Sequence, residues 1–169
     1  MAKSKSTIYI GVSGWTFPGW KDVFYPKEVK KADELKYASS KLRSIEVNGT
    51  FHAMQKPESF QRWYTETPSD FMFSLKAPRY MTHIRRLRDS EEALCNFLAS
   101  GVLCLKEKLG PILWQFPPSL SLETMTKTGR LETFLKILPR DTFQAAELAK
   151  NHTDRMEGRA FVEAGTKKP

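Results

Sequence analysis

Four strand-like segments alternate with four helix-like ones along this chain, and that alternation constrains the fold more than any other feature. Parallel strands need a long crossover between them, and a helix is the usual one, so strand and helix in strict succession predict an α/β fold with a parallel sheet. The first strand is predicted at Ile8–Ser13. An aromatic loop with Phe17, Pro18, Gly19 and Trp20 leads to a helix over about Asp33–Leu42, with Leu35, Ala38 and Leu42 on one face and Asp33 placed to cap it. Ser44–Asn48 reads as the second strand. The second helix begins near Pro57, shows Phe60, Trp63 and Tyr64 as its apolar stripe and is closed by Pro68. Phe71–Lys76 is the third strand, and after a basic loop Ser90, followed by Glu91 and Glu92, starts a helix that buries Leu94, Phe97, Leu98, Leu105 and Leu109. Gly110 and Pro111 read as its stop, Ile112–Phe116 as the fourth strand, and Leu131, Phe134, Leu135 and Leu138 as the face of a fourth helix. Residues 141–151 are Ala-rich and weakly helical, Ala160–Val162 is too short to assign, and residues 165–169 read as a loop.

Side chains alternate across a strand, so each segment divides into two faces. One face is apolar throughout: Ile8, Ile10 and Val12; Ile45 and Val47; Phe71, Phe73 and Leu75; Ile112, Trp114 and Phe116. The other carries a polar residue late in each strand, namely Ser13, Glu46 with Asn48, Lys76, and Gln115. Ligands of parallel α/β sheets bind beyond the carboxyl ends of the strands, so these residues are expected to converge on one site. Burying Glu46 or Lys76 alone costs several kcal/mol, so each needs a partner or a function. A Glu46–Lys76 ion pair that merely fills the interior is the structural alternative to a site.

With 40% hydrophobic and 12% aromatic residues the chain has material for a core, which excludes disorder throughout. Its net charge of +8 favours anionic partners, from phosphates and carboxylates to nucleic acid. Cys95 and Cys104 fall on opposite sides of one helix-like segment and are read as small buried or half-buried apolar residues. Residues 1–7 are polar and basic and are expected to be disordered; with no apolar leader and no run of membrane-spanning length, the cytoplasm is the default location and no membrane partner is expected.

Several motifs occur in a fixed order: Gly11-Val12-Ser13-Gly14-Trp15, Phe24-Tyr25-Pro26, Glu46-Val47-Asn48 with Thr50-Phe51, Thr82-His83 with Arg86-Leu87, Lys108-Leu109-Gly110-Pro111, Gln115-Phe116-Pro117-Pro118, Arg130-Leu131-Glu132 and Leu138-Pro139. Together they resemble the YecE-like family, catalogued as a domain of unknown function, over most of residues 8–162. The resemblance implies a TIM-like (β/α) barrel of which only the first four βα units are present, over residues 8–139, followed by a weakly helical segment and tail over 140–169. It implies no established activity. His52 stands where the family usually has Tyr. Four units cannot close an eight-stranded barrel, so self-association or a missing C-terminal half is expected, with a truncated frame or fragment favoured over a dimer of half-barrels.

The candidate catalytic residues are Glu46, as general base, and Lys76, as Schiff-base nucleophile or charge partner. Ser13, Trp15, Asn48, Phe51, His83, Arg86 and Gln115 are candidate binding residues, and the basic loop with Arg79, Arg85 and Arg88 has the chemistry of an anion site. Glu46, His52 and His83 offer metal donors but lack short ligand spacing, so no metal is assigned; no cofactor fingerprint is present and the cofactor is unknown. The expected function is binding of, or action on, an anionic small molecule or phosphate ester. The alternatives are a non-catalytic nucleic-acid- or protein-binding module and an inactive remnant.

Overall fold

The computed structural model describes residues 8–140, 144–148 and 161–163, the last two stretches as backbone strands. The predicted disorder of residues 1–7 and the loop at 165–169 lie outside the described residues. Six strands form one sheet in the order β1 (Gly11–Ser13), β2 (Ser44–Val47), β3 (Met72–Lys76), β4 (Leu109–Phe116), β5 (Gln144–Leu148) and β6 (Phe161–Glu163). The first five pair in parallel and β6 returns antiparallel to β5. The helices between them are α1 (Glu34–Lys41), α2 (Gly49–His52), α3 (Pro57–Glu66), α4 (Glu91–Ala99), α5 (Leu122–Lys127) and α6 (Arg130–Ile137).

The apolar strand face is the core face, as the alternation predicts. Ile45, Val47, Phe73, Leu75, Ile112, Trp114 and Phe116 are all at most 2% exposed and pack against Leu35 and Ala38 of α1, Phe60 and Trp63 of α3, Leu94 and Phe97 of α4 and Phe134 of α6. Glu46, Ser74, Lys76 and Gln115 alternate with these and are half-buried. They therefore share the sheet face turned away from the helices.

Several expectations are corrected. Ile8 and Ile10 are 78% and 71% exposed, and only Val12 of the first strand packs on the core. The cause is position: the strand is shorter than the predicted Ile8–Ser13, beginning only at Gly11 at the sheet edge, so both isoleucines lie ahead of it. Residues 144–148, expected to be weakly helical, form β5, because β4 offers the free ladder of Ile112–Phe116 and sheet pairing outweighs the modest helix propensity of Ala, Glu and Leu. The alternation thus runs to five parallel strands, not four.

The long helix expected from Ser90 to Leu109 breaks at Gly101, where φ is +113° and a Cβ would lie 2.6 Å from the Cα of Pro57. Only glycine lets that turn sit against the start of α3. A 3₁₀ segment, Val102–Lys108, follows it. Cys95 and Cys104 consequently lie on different segments, and Cys95 is exposed rather than buried. Gly110 and Pro111 do not stop a helix but belong to β4, at a register irregularity opposite Phe73–Leu75, where a missing N–H is tolerated. Asp33 and Ser90 occupy their cap positions without side-chain cap bonds, and Leu135 of α6 is exposed while Phe134 and Leu138 are buried.

Lys108 is the most deeply buried charged side chain of the described residues, at 3% exposure. Its ammonium donates to the carbonyls of Tyr64 (2.6 Å) and Thr67 (2.7 Å) and to the Thr67 hydroxyl (3.2 Å), which ends α3 with a cation, and it lies 4.6 Å from the Tyr64 ring centroid. Burial holds its pKa below the usual lysine value, against the opposing pull of Glu107.

Candidate binding site

The strand register sets which polar residues meet. Ser13, Glu46 and Ser74 stand side by side across β1, β2 and β3, whereas Lys76 is one pleat further along, beside Leu113, and Gln115 lies two residues beyond Leu113. The Glu46–Lys76 ion pair weighed as the alternative to a site does not form, because register places the two on a diagonal rather than opposite each other. The candidate residues separate into two groups.

The first group lies where β1 and β2 end. Ser13 Oγ donates to Glu46 Oε1 at 3.4 Å, and Asn48 Nδ2 donates to Ser13 Oγ. The chain leaves β1 through Gly14, which adopts φ +84° and donates its N–H to the Glu46 carbonyl at 2.8 Å. The next residue, Trp15, has its carbonyl bonded by the Tyr25 hydroxyl and its ring edge-on to Trp63, with centroids 5.6 Å apart. Burial, with help from Glu34, pushes the Tyr25 hydroxyl up to about 12, so it stays protonated and keeps that bond across the neutral range. A hollow of 420 Å³ is lined by Ser13, Trp15, Phe17, Asn48, Gln55 and Trp63, among others.

The second group surrounds Phe51 on α2. This single-turn helix is too short to show periodicity, so the sequence did not reveal it. Thr50, 1% exposed, fixes it: its hydroxyl lies 2.7 Å from the Lys76 carbonyl and 2.9 Å from that of Val47, which ties α2 to the end of β3. The Lys76 ammonium lies 4.9 Å from the Phe51 ring centroid, a cation–π contact rather than an ion pair with Glu46. The rings of His52 and His83 each meet the Phe51 ring edge-on at 5.1 Å. His83 sits in a five-residue π-helix, Tyr80–Ile84, a rare geometry frequent at functional sites. Thr82 Oγ1 lies 2.9 Å from His83 Nδ1. Burial lowers the His83 pKa below its usual value, and the positive charges of Arg79 and Lys76 lower it further. Neither Lys76 nor Arg79 has a carboxylate within ion-pair distance among the described residues. A second hollow, of 270 Å³, is lined by Phe51, His52, Met54, Arg79, Tyr80 and Met81, among others.

The rest of the basic loop does not join this group. Arg85 pairs with Asp89 at 2.8 Å, and Arg86, in a left-handed backbone conformation, donates to the Ser119 carbonyl. Arg86 thus clasps the loop that follows β4. Gln115 stands on the same sheet face, paired with position 147 of β5. Gln55 and α2 were missed by sequence reasoning, and only contact with Gly49 and Ala53 brings Gln55 to the first hollow. No group of three His, Cys, Asp or Glu side chains suited to a metal ion occurs among the described residues.

Comparison with known proteins places this geometry in a family. The chain is 34% identical over 116 residues to the UPF0759 protein YunF of Bacillus subtilis strain 168, covering 66% of this chain and 40% of that protein. It is 29% identical over 110 residues to the UPF0759 protein YecE of Escherichia coli K12, covering 65% and 38%. It therefore spans about two fifths of the length of these relatives. The crystal structure of a DUF72 family protein from Thermotoga maritima MSB8 superposes with a TM-score of 0.65 at 29% identity, over 82% of this chain and 55% of that one. A DUF72 family protein from Enterococcus faecalis V583 shares the fold with a TM-score of 0.62 at 22% identity, over 84% and 50%. The profile of the protein family of unknown function DUF72 matches residues 9–157, and the chain belongs to that family.

Proposed function

We propose that this chain forms part of a TIM-like barrel and binds a small anionic molecule or phosphate ester where β2 and β3 end. The observation that carries the reading is the cluster of Lys76, Arg79 and His83 about Phe51, three cationic or protonatable groups with no acidic partner among the described residues. Like charges held together without a counter-charge raise the energy of the empty site, and an anion relieves it. Arg79 supplies a planar fork of donors and Lys76 a point charge, the pair suited to phosphate or carboxylate oxygens. The sequential order of the parallel strands, with the helices over one face, supports the barrel reading. Glu46, beside the Ser13 hydroxyl, is the base available to a reaction at this rim, and the outer edge of β1, preceded by the exposed Ile8 and Ile10, is where a second copy or further strands of the barrel pair.

The test is a titration with inorganic phosphate followed by NMR of the His83 ring. A bound anion should raise the His83 pKa toward or above its ordinary value, and Lys76→Met or Arg79→Ala should weaken binding by roughly 10- to 100-fold, the worth of about 1.5–3 kcal/mol for a charged hydrogen bond. An unmoved His83 resonance at saturating phosphate would remove the reading.

A further inference from the structure

We propose that the hollow between the ends of β1 and β2 is a separate site, and that it takes a neutral ring rich in hydroxyl groups, such as a sugar or cyclitol unit. The argument begins with how the polar groups at its wall are already used. Gln55 spends both amide N–H groups on the carbonyls of Gly49 and Ala53, and Asn48 spends one of its two on Ser13 Oγ. Ser13 in turn gives its proton to Glu46 Oε1. What remains at the wall is mainly acceptors: Asn48 Oδ1 and Gln55 Oε1 have no donor among the described residues, against one spare Asn48 N–H. A ligand here must bring donors, and hydroxyl groups bring them without charge.

The aromatic lining supplies the complementary requirement. Trp15 is half-buried, its carbonyl held by Tyr25 and its ring braced edge-on by Trp63, and Phe17 also lines the hollow with 39% of its surface open. Braced rings beside hydrogen-bond acceptors suit a ligand whose faces are apolar and whose rim is hydroxylated. The 420 Å³ of the hollow falls in the range of small-molecule sites, about 300–1,000 Å³.

Charge decides between ligand classes. An anion is disfavoured by the Glu46 carboxylate directly behind Ser13, whereas a cation is disfavoured by Lys76, one diagonal step away on the same sheet face. The anionic and hydroxylated ligands are thus sorted to opposite sides of α2, with Asn48 and Gly49 facing one hollow and Phe51 and His52 the other.

The test uses the whole chain, isotopically labelled, with methyl glucoside and myo-inositol as probes and tetramethylammonium and inorganic phosphate as contrasts. At least one polyol should shift the Trp15 indole N–H and the Asn48 and Gln55 amide signals saturably. Gln55→Ala and Asn48→Ala should each weaken that binding by about threefold to tenfold, the worth of one neutral hydrogen bond, with an unchanged circular dichroism spectrum checking that the fold is kept. Phosphate should move His83 and leave Trp15 unchanged. The proposal is overturned if neither polyol saturates the Trp15 signal, if tetramethylammonium saturates it instead, if phosphate displaces the polyol, or if both variants bind like the parent. A phosphate titration that fails at His83 alone would count against the anion site and leave this one standing.

Discussion

Replacing Lys108 by methionine tests whether a buried cation truly closes α3. Methionine keeps most of the aliphatic stem and removes the ammonium, so the carbonyls of Tyr64 and Thr67, 2.6 and 2.7 Å from Nζ, lose their charged donor. A buried acceptor left unsatisfied costs about 1–3 kcal/mol, so two of them cost about 2–6 kcal/mol. Release from burying a charge returns part of this, which leaves a net loss of about 2–3 kcal/mol for Lys108→Met. Lys108→Ala also removes three methylene groups at about 0.8 kcal/mol each, for a total of about 4–5 kcal/mol. Urea denaturation followed by circular dichroism measures both, and the methionine variant should melt about 5–10 °C below the parent. The pH dependence supplies a second signature. Because the folded-state pKa is below 10.5, the unfolded chain holds more protons between the lowered value and 10.5, so the parent gains stability as pH rises through that window. The methionine variant should lack that gain. A methionine variant as stable as the parent, with the same alkaline slope, would refute the idea that these carbonyls depend on Lys108.

Three further outcomes are expected. His83, with its folded pKa lowered from 6.5, is neutral in both states at higher pH; as pH falls below 6.5 the unfolded chain takes up its proton first, so stability drops until the folded pKa is passed, and His83→Gln should flatten that part of a stability profile. Gly101→Ala forces φ +113° on a residue whose Cβ would meet the Pro57 backbone at 2.6 Å, and should cost at least about 2 kcal/mol by urea midpoint; a loss below about 0.5 kcal/mol would contradict that close approach. The isolated chain should associate through its β1 edge, and Ile10→Lys, which places a charge immediately before that strand, should lower the mass measured by light scattering.

The polar alternation of Ser13, Glu46, Lys76 and Gln115 against Ile45, Phe73, Leu75 and Trp114 was legible because a strand has period two and each of these segments is long enough to show it. The helix stripes of α3 and α4 were legible for the same reason. Where a segment was short, local pattern carried little: β1 has three residues and lies at an edge, and Ile8 and Ile10, predicted to belong to it, fall before it and stay exposed. The strand at 144–148 reads as helix in isolation, and only the waiting edge of β4 makes it a strand.

The sequence by itself determined the α/β class, the core face of the sheet and the cast of polar residues at the strand ends, since periodicity and burial are local properties of the chain. Tertiary structure alone decided who meets whom. Register set Glu46 beside Ser13 and sent Lys76 to Phe51, and the four-residue turn of α2 divided one anticipated site into two. Those choices depend on the relative shift of strands distant in sequence, a quantity that no single segment encodes.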